Sequence, residues 1–265
     1  MILNTRRLFC RLLQTLQIDM VCDVGSMDGA EALRFRRMVP GADILAFEPN
    51  PRNFSLMQAD DDLRRRSIRI FPVAVSDRRS EAPFHIVDAQ YSKGRNRFKR
   101  GMGSLFRCPG GQESAETIRV PTVRLDEFLS TEPYSCAAIA VWIDVEGKAV
   151  EVIKGCSGIL PDTCMFHVEV ETKPIFGVSQ KLFADADGAL VDAGFIRLAT
   201  DQPEHRVQFN ALYLRADMAE KHTNEIMALA RFERVLHVVT SGLIRYIPIR
   251  FRLLLGLPVP ETRLE

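Results

Sequence analysis

Short apolar runs alternate with amphipathic stretches along the chain, the pattern of strands and helices taken in turn. Residues 18–24 form an apolar run that closes on Gly25 and reads as a buried strand. A helix over 28–38 follows and breaks at Pro40-Gly41. The pattern predicts a second strand at 43–47, a second helix at 51–62 and a third strand at 68–75. Pro72 weakens the middle of that third strand, because proline cannot donate to a ladder. Residues 77–120 then show no helical period and read as an irregular insert. Alternation resumes with a helix at 124–130, a strand at 137–143 and a helix at 147–156. A strand at 164–170, a helix at 179–193 and strands at 194–199 and 207–214 complete the series, the last two read as an antiparallel pair.

Such alternation implies a Rossmann-like α/β fold, with about seven mostly parallel strands and helices on both faces. The expected organisation is an N-terminal helix at 1–17, a main domain at 18–216 and a helical appendage at 217–265. The appendage mixes Leu and Ile with Arg245, Arg250 and Arg252 and is broken by Pro248 and Pro258. Helix packing, dimerisation and peripheral membrane contact are its candidate roles.

Composition changes this picture little. The 265 residues are 46% hydrophobic and 26% charged, with a net charge of +1, so no global charge argues for nucleic acid. Six cysteines form no CxxC pair and point to buried thiols in a reduced, cytoplasmic setting. The N-terminal stretch is interrupted by Arg11 and Gln14, and no apolar run reaches the length of a spanning helix. The run Lys93–Arg100 carries five basic residues, suited to an anionic acceptor. Its single aromatic, Phe98, makes a poor stacking platform for RNA, so no nucleic-acid partner is expected.

The first candidate site is the strand-to-helix turn Asp23-Val24-Gly25-Ser26-Met27-Asp28-Gly29, the position where open α/β sheets bind ligands. The second is Glu48, which ends the next strand at the distance where a carboxylate can hold ribose hydroxyls. The turn lacks the middle glycine of a dinucleotide fingerprint, and Asp28 and Glu31 would repel phosphates at the helix N-terminus. S-adenosylmethionine has no phosphate and carries a cationic sulfonium, so an acidic turn suits it better than a nicotinamide dinucleotide.

An ordered set of segments carries a more specific signal: Val21-Cys22-Asp23-Val24-Gly25, Ala46-Phe47-Glu48-Pro49-Asn50-Pro51, Val73-Ala74-Val75-Ser76-Asp77, Leu125-Asp126-Glu127-Phe128, Ile143-Asp144-Val145-Glu146-Gly147 and Val168-Glu169. In this order, across residues 20–215, they resemble the FkbM family of methyltransferases. The resemblance implies a class I methyltransferase sheet with one antiparallel strand, S-adenosylmethionine as donor, and a hydroxyl of a sugar or natural product as acceptor. It places Asp23 and Gly25 at the methionine part, Glu48 at the ribose, Ser76 and Asp77 near the adenine, and Asp144 and Glu146 at the reaction centre. Ser26, Asp28, Gly29, Pro49 and Asp144 complete the donor-binding candidates, although Ser26 and Met27 stand where the family often has Ala-Asn. Met102-Gly103-Ser104-Leu105 resembles a small-Ser-Leu element of the family's insert.

Trp142 stands where a lysine is common and Ala149 where a glutamate is usual. These departures leave open a methyltransferase-fold binding protein that has lost catalysis; RNA methylation ranks lower. Alcohol methylation needs a base, and Asp144 and Glu146 are the catalytic candidates. Asp144, Glu169 and Glu171 are a candidate Mg²⁺ set, since hard cations take carboxylates, although no metal ligand is assigned. His167, within an apolar strand, reads as a buried histidine satisfied by one hydrogen bond; His85 and His205 are weaker candidates.

Overall fold

A computed structural model describes residues 1–86, 103–106, 116–131 and 138–244, with the backbone alone for 237–244. The basic run 93–100, Met102 and the tail from 245 lie outside the described residues.

Asn4 caps the first helix, α1 (Thr5–Thr15), by accepting the Arg7 N–H at 2.9 Å. Strand β1 (Met20–Val24), helix α2 (Ala30–Met38), strand β2 (Asp43–Phe47) and helix α3 (Pro51–Ala59) follow. The predicted helix 51–62 divides at Asp60, whose carboxylate accepts the N–H groups of Asp62 and Leu63 and starts α4 (Asp61–Arg65). Strand β3 (Arg69–Phe71) is shorter than predicted, because the chain leaves the sheet at Pro72. It enters a second sheet as β4 (Ala74–Val75), followed there by β5 (Ser80–Ile86) and β6 (Glu116–Val123).

The expectation of an irregular insert over 77–120 is corrected at both ends. There β5 and β6 pair antiparallel from Ser80–Thr122 to Ile86–Glu116. Pro83 hid the strand in the sequence; it lies on the sheet edge, where a missing donor is tolerated.

The remaining elements are α5 (Leu125–Ser130), β7 (Ile139–Ile143), α6 (Ala149–Lys154), β8 (Thr163–Glu171), α7 (Phe183–Asp192), β9 (Phe195–Thr200), β10 (Gln208–Arg215), α8 (Ala216–Lys221) and α9 (Thr223–Ile244). The main sheet has seven strands in the order β3-β2-β1-β7-β8-β10-β9. Strand β10 runs antiparallel to both neighbours, and the other pairs are parallel.

Side chains alternate between the two faces of this sheet. On one face Val21, Ala140 and Trp142 pack with Phe9 and Leu12 of α1, Phe35 of α2 and Ile226 and Ala230 of α9. On the other, Cys22, Val24, Val141 and Ile143 pack with Leu125 of α5, Val152 of α6 and Leu190 of α7. Buried Glu233 of α9 ties that helix to α1 through Arg7 at 2.6 Å and Arg11 at 3.3 Å. Among the described residues no helix is long and apolar enough to cross a membrane.

Candidate active site

The cleft opens at the C-terminal ends of β1, β2, β7 and β8, where the strand order reverses direction around β1 and β7. Its volume is about 430 Å³. Gly25 fixes its geometry. Its φ is +86°, and a Cβ built there would lie 1.8 Å from the Asp144 carbonyl oxygen. Only glycine lets the turn after β1 close onto the end of β7. The turn is pinned further by Gly25 and Ser26, whose N–H groups both donate to the Phe47 carbonyl, at 3.0 and 3.1 Å.

Asp23 points from β1 to the α1 face and accepts the Ser26 hydroxyl at 2.6 Å. Burial pushes its carboxyl up to about 7, against that hydrogen bond. Glu48 lies at the end of β2. Its two oxygens accept the N–H groups of Met27 and Asn50, each at 2.8 Å. Burial pushes this carboxyl up to about 7 as well, while the bonds from Asn50, Met27 and the Asn53 side chain oppose the rise. Met27 adopts a left-handed φ of 55°, a conformation its bond to Glu48 secures.

The register across β7 and β8 sets Trp142 beside His167 and Ile143 beside Val168. One step further along, it brings Asp144 alongside Glu169. Glu146 joins them, so that carboxylate oxygens of Asp144, Glu146 and Glu169 all lie within 4.8 Å of one another. Asp144 presents its surface to the cleft, yet the protein crowding around it removes bulk solvent and raises its pKa. The hydrogen bond it shares with Glu169 pulls the other way, and Glu169, raised by burial and then by the Asp144 charge, holds the proton. Glu146 is pushed up to about 8 by burial and by Asp144. Glu171 does not join this group: its Oε2 accepts the Gln180 side chain at 2.9 Å. The acid set expected for a cation thus contains Glu146 in place of Glu171.

Asp23, Gly25, Ser26, Asp28, Glu48, Pro49, Asp144 and Glu146 line the cleft together. Gly29, Ser76 and Asp77 do not, a correction to the expected set. Gly29, at φ +74°, caps the start of α2 against Leu63. Ala74 and Val75 of β4 do line the cleft, but just past them the Ser76 N–H bonds Val123 at 2.8 Å, and Arg124 holds the Asp77 carbonyl at 3.0 Å.

Other lining residues carried little sequence signal. Arg6 reaches the cleft from α1, Asn53 from α3, Lys148 from the end of the β7 loop and Gln208 from β10. Ser104, in the predicted small-Ser-Leu element, donates to the Glu146 carbonyl at 2.8 Å and so ties the insert to the acid cluster.

Trp142 stacks on His167 with centroids 3.5 Å apart and planes 3° from parallel. Phe9 and Phe35 flank the pair. His167 bonds Thr5 at 3.0 Å and is kept neutral by burial, as expected for a core histidine. In place of the lysine and glutamate expected at 142 and 149, a Lys148–Glu151 pair at 2.9 Å stands beside the cleft. His85 bonds Thr117 at 2.9 Å in the second sheet, and His205 is exposed.

The seven-stranded sheet and the ligand turn after its first strand define the class I methyltransferase architecture. Residues 23–197 match the methyltransferase FkbM domain, and the chain belongs to that family. The 2-O-methyltransferase NoeI of Sinorhizobium fredii (strain NBRC 101917 / NGR234) is 29% identical over 164 residues, 59% of this chain and 65% of that protein. The match therefore spans slightly less than two thirds of the relative. The methyltransferase FkbM structure from Methylobacillus flagellatus KT aligns with a TM-score of 0.45 at 11% identity, covering 74% of this chain and 43% of that one. The precorrin-6y C5,15-methyltransferase of Geobacter metallireducens GS-15 aligns with a TM-score of 0.42 at 11% identity, covering 79% and 87%.

Proposed function

We propose that the cleft binds S-adenosylmethionine and directs its methyl group to a hydroxyl of a carbohydrate or secondary-metabolite acceptor. The observation that carries this reading is the convergence of Asp144, Glu146 and Glu169 beside the Gly25 turn and Glu48. The lining fits the donor. Its carboxylates outnumber its two cations, Arg6 and Lys148, which suits a sulfonium and opposes a pyrophosphate. Glu48, held by Met27, Asn50 and Asn53, would accept from the ribose hydroxyls at its remaining acceptor position; Asp23, Gly25, Ser26 and Asp28 would line the methionyl arm. When bound, the donor supplies a methyl group already activated by its sulfonium.

The protein's tasks are then alignment and proton management. Asp144, the more acidic member of its pair, accepts the proton of the acceptor hydroxyl. Glu169, already protonated, donates a hydrogen bond that holds the Asp144 carboxylate in one orientation. Glu146, tied through its backbone to Ser104, positions the acceptor at the mouth. A hydroxyl acceptor agrees with the 2-O-methyltransferase name of the relative NoeI. The same three carboxylates are the residues that would take a Mg²⁺ ion.

Calorimetric titration with S-adenosylhomocysteine, with NADH as control, tests donor binding. Saturable binding of the first alone is expected; binding of NADH alone would overturn the donor assignment. For the chemistry, Asp144→Asn is expected to lower turnover on a hydroxyl acceptor by about 100-fold or more while leaving donor affinity within a few-fold. Full turnover in that variant would dismiss Asp144 as the base. Donor binding with no transfer to any acceptor would assign the chain a binding role, the reading that Trp142 and Ala149 leave open.

A further inference from the structure

Helix α1 lies ahead of the family-matched segment, yet it reaches the cleft. It packs on the sheet face that carries Trp142, Asp144, His167 and Glu169, and Thr5 bonds His167 at 3.0 Å. That contact fixes the start of α1 and sets the next residue, Arg6, in the cleft wall. Arg6 meets Glu31 of α2 at 3.3 Å and remains 57% exposed.

The sheet order decides what would face Arg6. Strands run β2, β1, β7, β8 across the cleft. A donor whose ribose rests at Glu48 therefore extends its methionyl arm past Gly25 toward Asp144. That arm ends in an ammonium and a carboxylate. The acidic lining receives the ammonium, but the carboxylate needs a cation. Lys148 is committed elsewhere: its ammonium pairs with Glu151 at 2.9 Å and sits 3.8 Å above the Phe106 ring. Arg6 is the other lining cation. Among the described residues its one ion pair is with Glu31, and Arg34 also holds that carboxylate at 3.1 Å. Arg6 can thus turn its guanidinium fork to a ligand without leaving Glu31 unpaired.

We infer that Arg6 binds the α-carboxylate of the donor's methionyl arm, so that a helix outside the matched segment completes the donor site. The inference rests on the donor reading above.

The test compares S-adenosylmethionine with its decarboxylated form, which keeps the adenosine, the sulfonium and the amine. Affinities are measured by calorimetry on the full chain and on Arg6→Gln. The unsubstituted chain is expected to prefer the carboxylated donor by about tenfold or more. In Arg6→Gln that preference should fall close to one, through weaker binding of the carboxylated donor alone. An unchanged preference would overturn the inference, including the case in which both affinities fall together through structural damage. A preference near one before substitution would overturn it too. Failure of the unsubstituted chain to bind either compound would instead overturn the donor reading itself.

Discussion

Glu48 holds the turn together and, in the proposed site, holds the ribose as well. Its oxygens already accept two backbone N–H groups, so the carboxylate is fixed in place before a ligand arrives. Glu48→Ala is expected to weaken S-adenosylhomocysteine binding by roughly 1.5–3 kcal/mol, the range for hydrogen bonds to a charged group. Calorimetry on the folded variant checks this, and an unchanged affinity would remove Glu48 from the site. Gly25 shows a different dependence, on space and backbone conformation. Gly25→Ala would set a Cβ against the Asp144 carbonyl at a φ of +86°. A loss of about 3 kcal/mol or more in urea unfolding is expected from the combined clash and strain. Both positions were legible in the sequence, since a glycine at a strand end and a carboxylate at the next strand's end form a recognisable pair. Arg6 was not, because nothing in its local pattern shows that α1 folds back over the C-terminal ends of β7 and β8.

Among the elements, β7 and β8 explain the departure at position 142. Their register stacks Trp142 on His167, and α1 and α2 seal the pair with Phe9 and Phe35. Trp142→Ala should cost roughly 3–5 kcal/mol through the cavity it leaves. Trp142→Lys, which restores the residue common in the family, also loses that packing but sets an ammonium across the strand pair from the buried Asp23 carboxyl, so its cost is expected to be no larger. Equilibrium urea unfolding measures both, and a Trp142→Lys variant as stable as the parent would show that the aromatic packing is dispensable. The main sheet was visible in the sequence because its central strands are continuous apolar runs, buried on both faces, separated by amphipathic helices. The second sheet was not. Its strands lie on either side of a long insert, and Pro72 and Pro83 interrupt the pattern by which strands are read.

For the whole molecule, the cleft's buried carboxyls link stability to pH. Asp23 and Glu48 rise to about 7 from ordinary values of 3.8 and 4.5. Between those limits the folded chain binds more protons than the unfolded chain. The stability these groups contribute is therefore complete below the unfolded values and is lost as pH climbs through 7. The unliganded protein is expected to melt at a lower temperature at about pH 8 than at about pH 5.5, and Glu48→Gln should make that slope shallower. A melting temperature that rises across this interval would contradict the protonated burial of these two groups.

By itself the sequence determined the α/β class, the order of the main elements, the glycine turn after the first strand and the carboxylates that follow the central strands. These are local features: periodicity, a glycine at a turn, an acid at a strand end. Tertiary structure alone decided that Glu169 joins Asp144 and Glu146 while Glu171 turns to Gln180, and that Ser76 and Asp77 lie beyond the cleft that Ala74 and Val75 of β4 line. It also decided that Arg6 enters the cleft. Each of these depends on strand register or on the packing of segments far apart in the chain, and local pattern does not encode either.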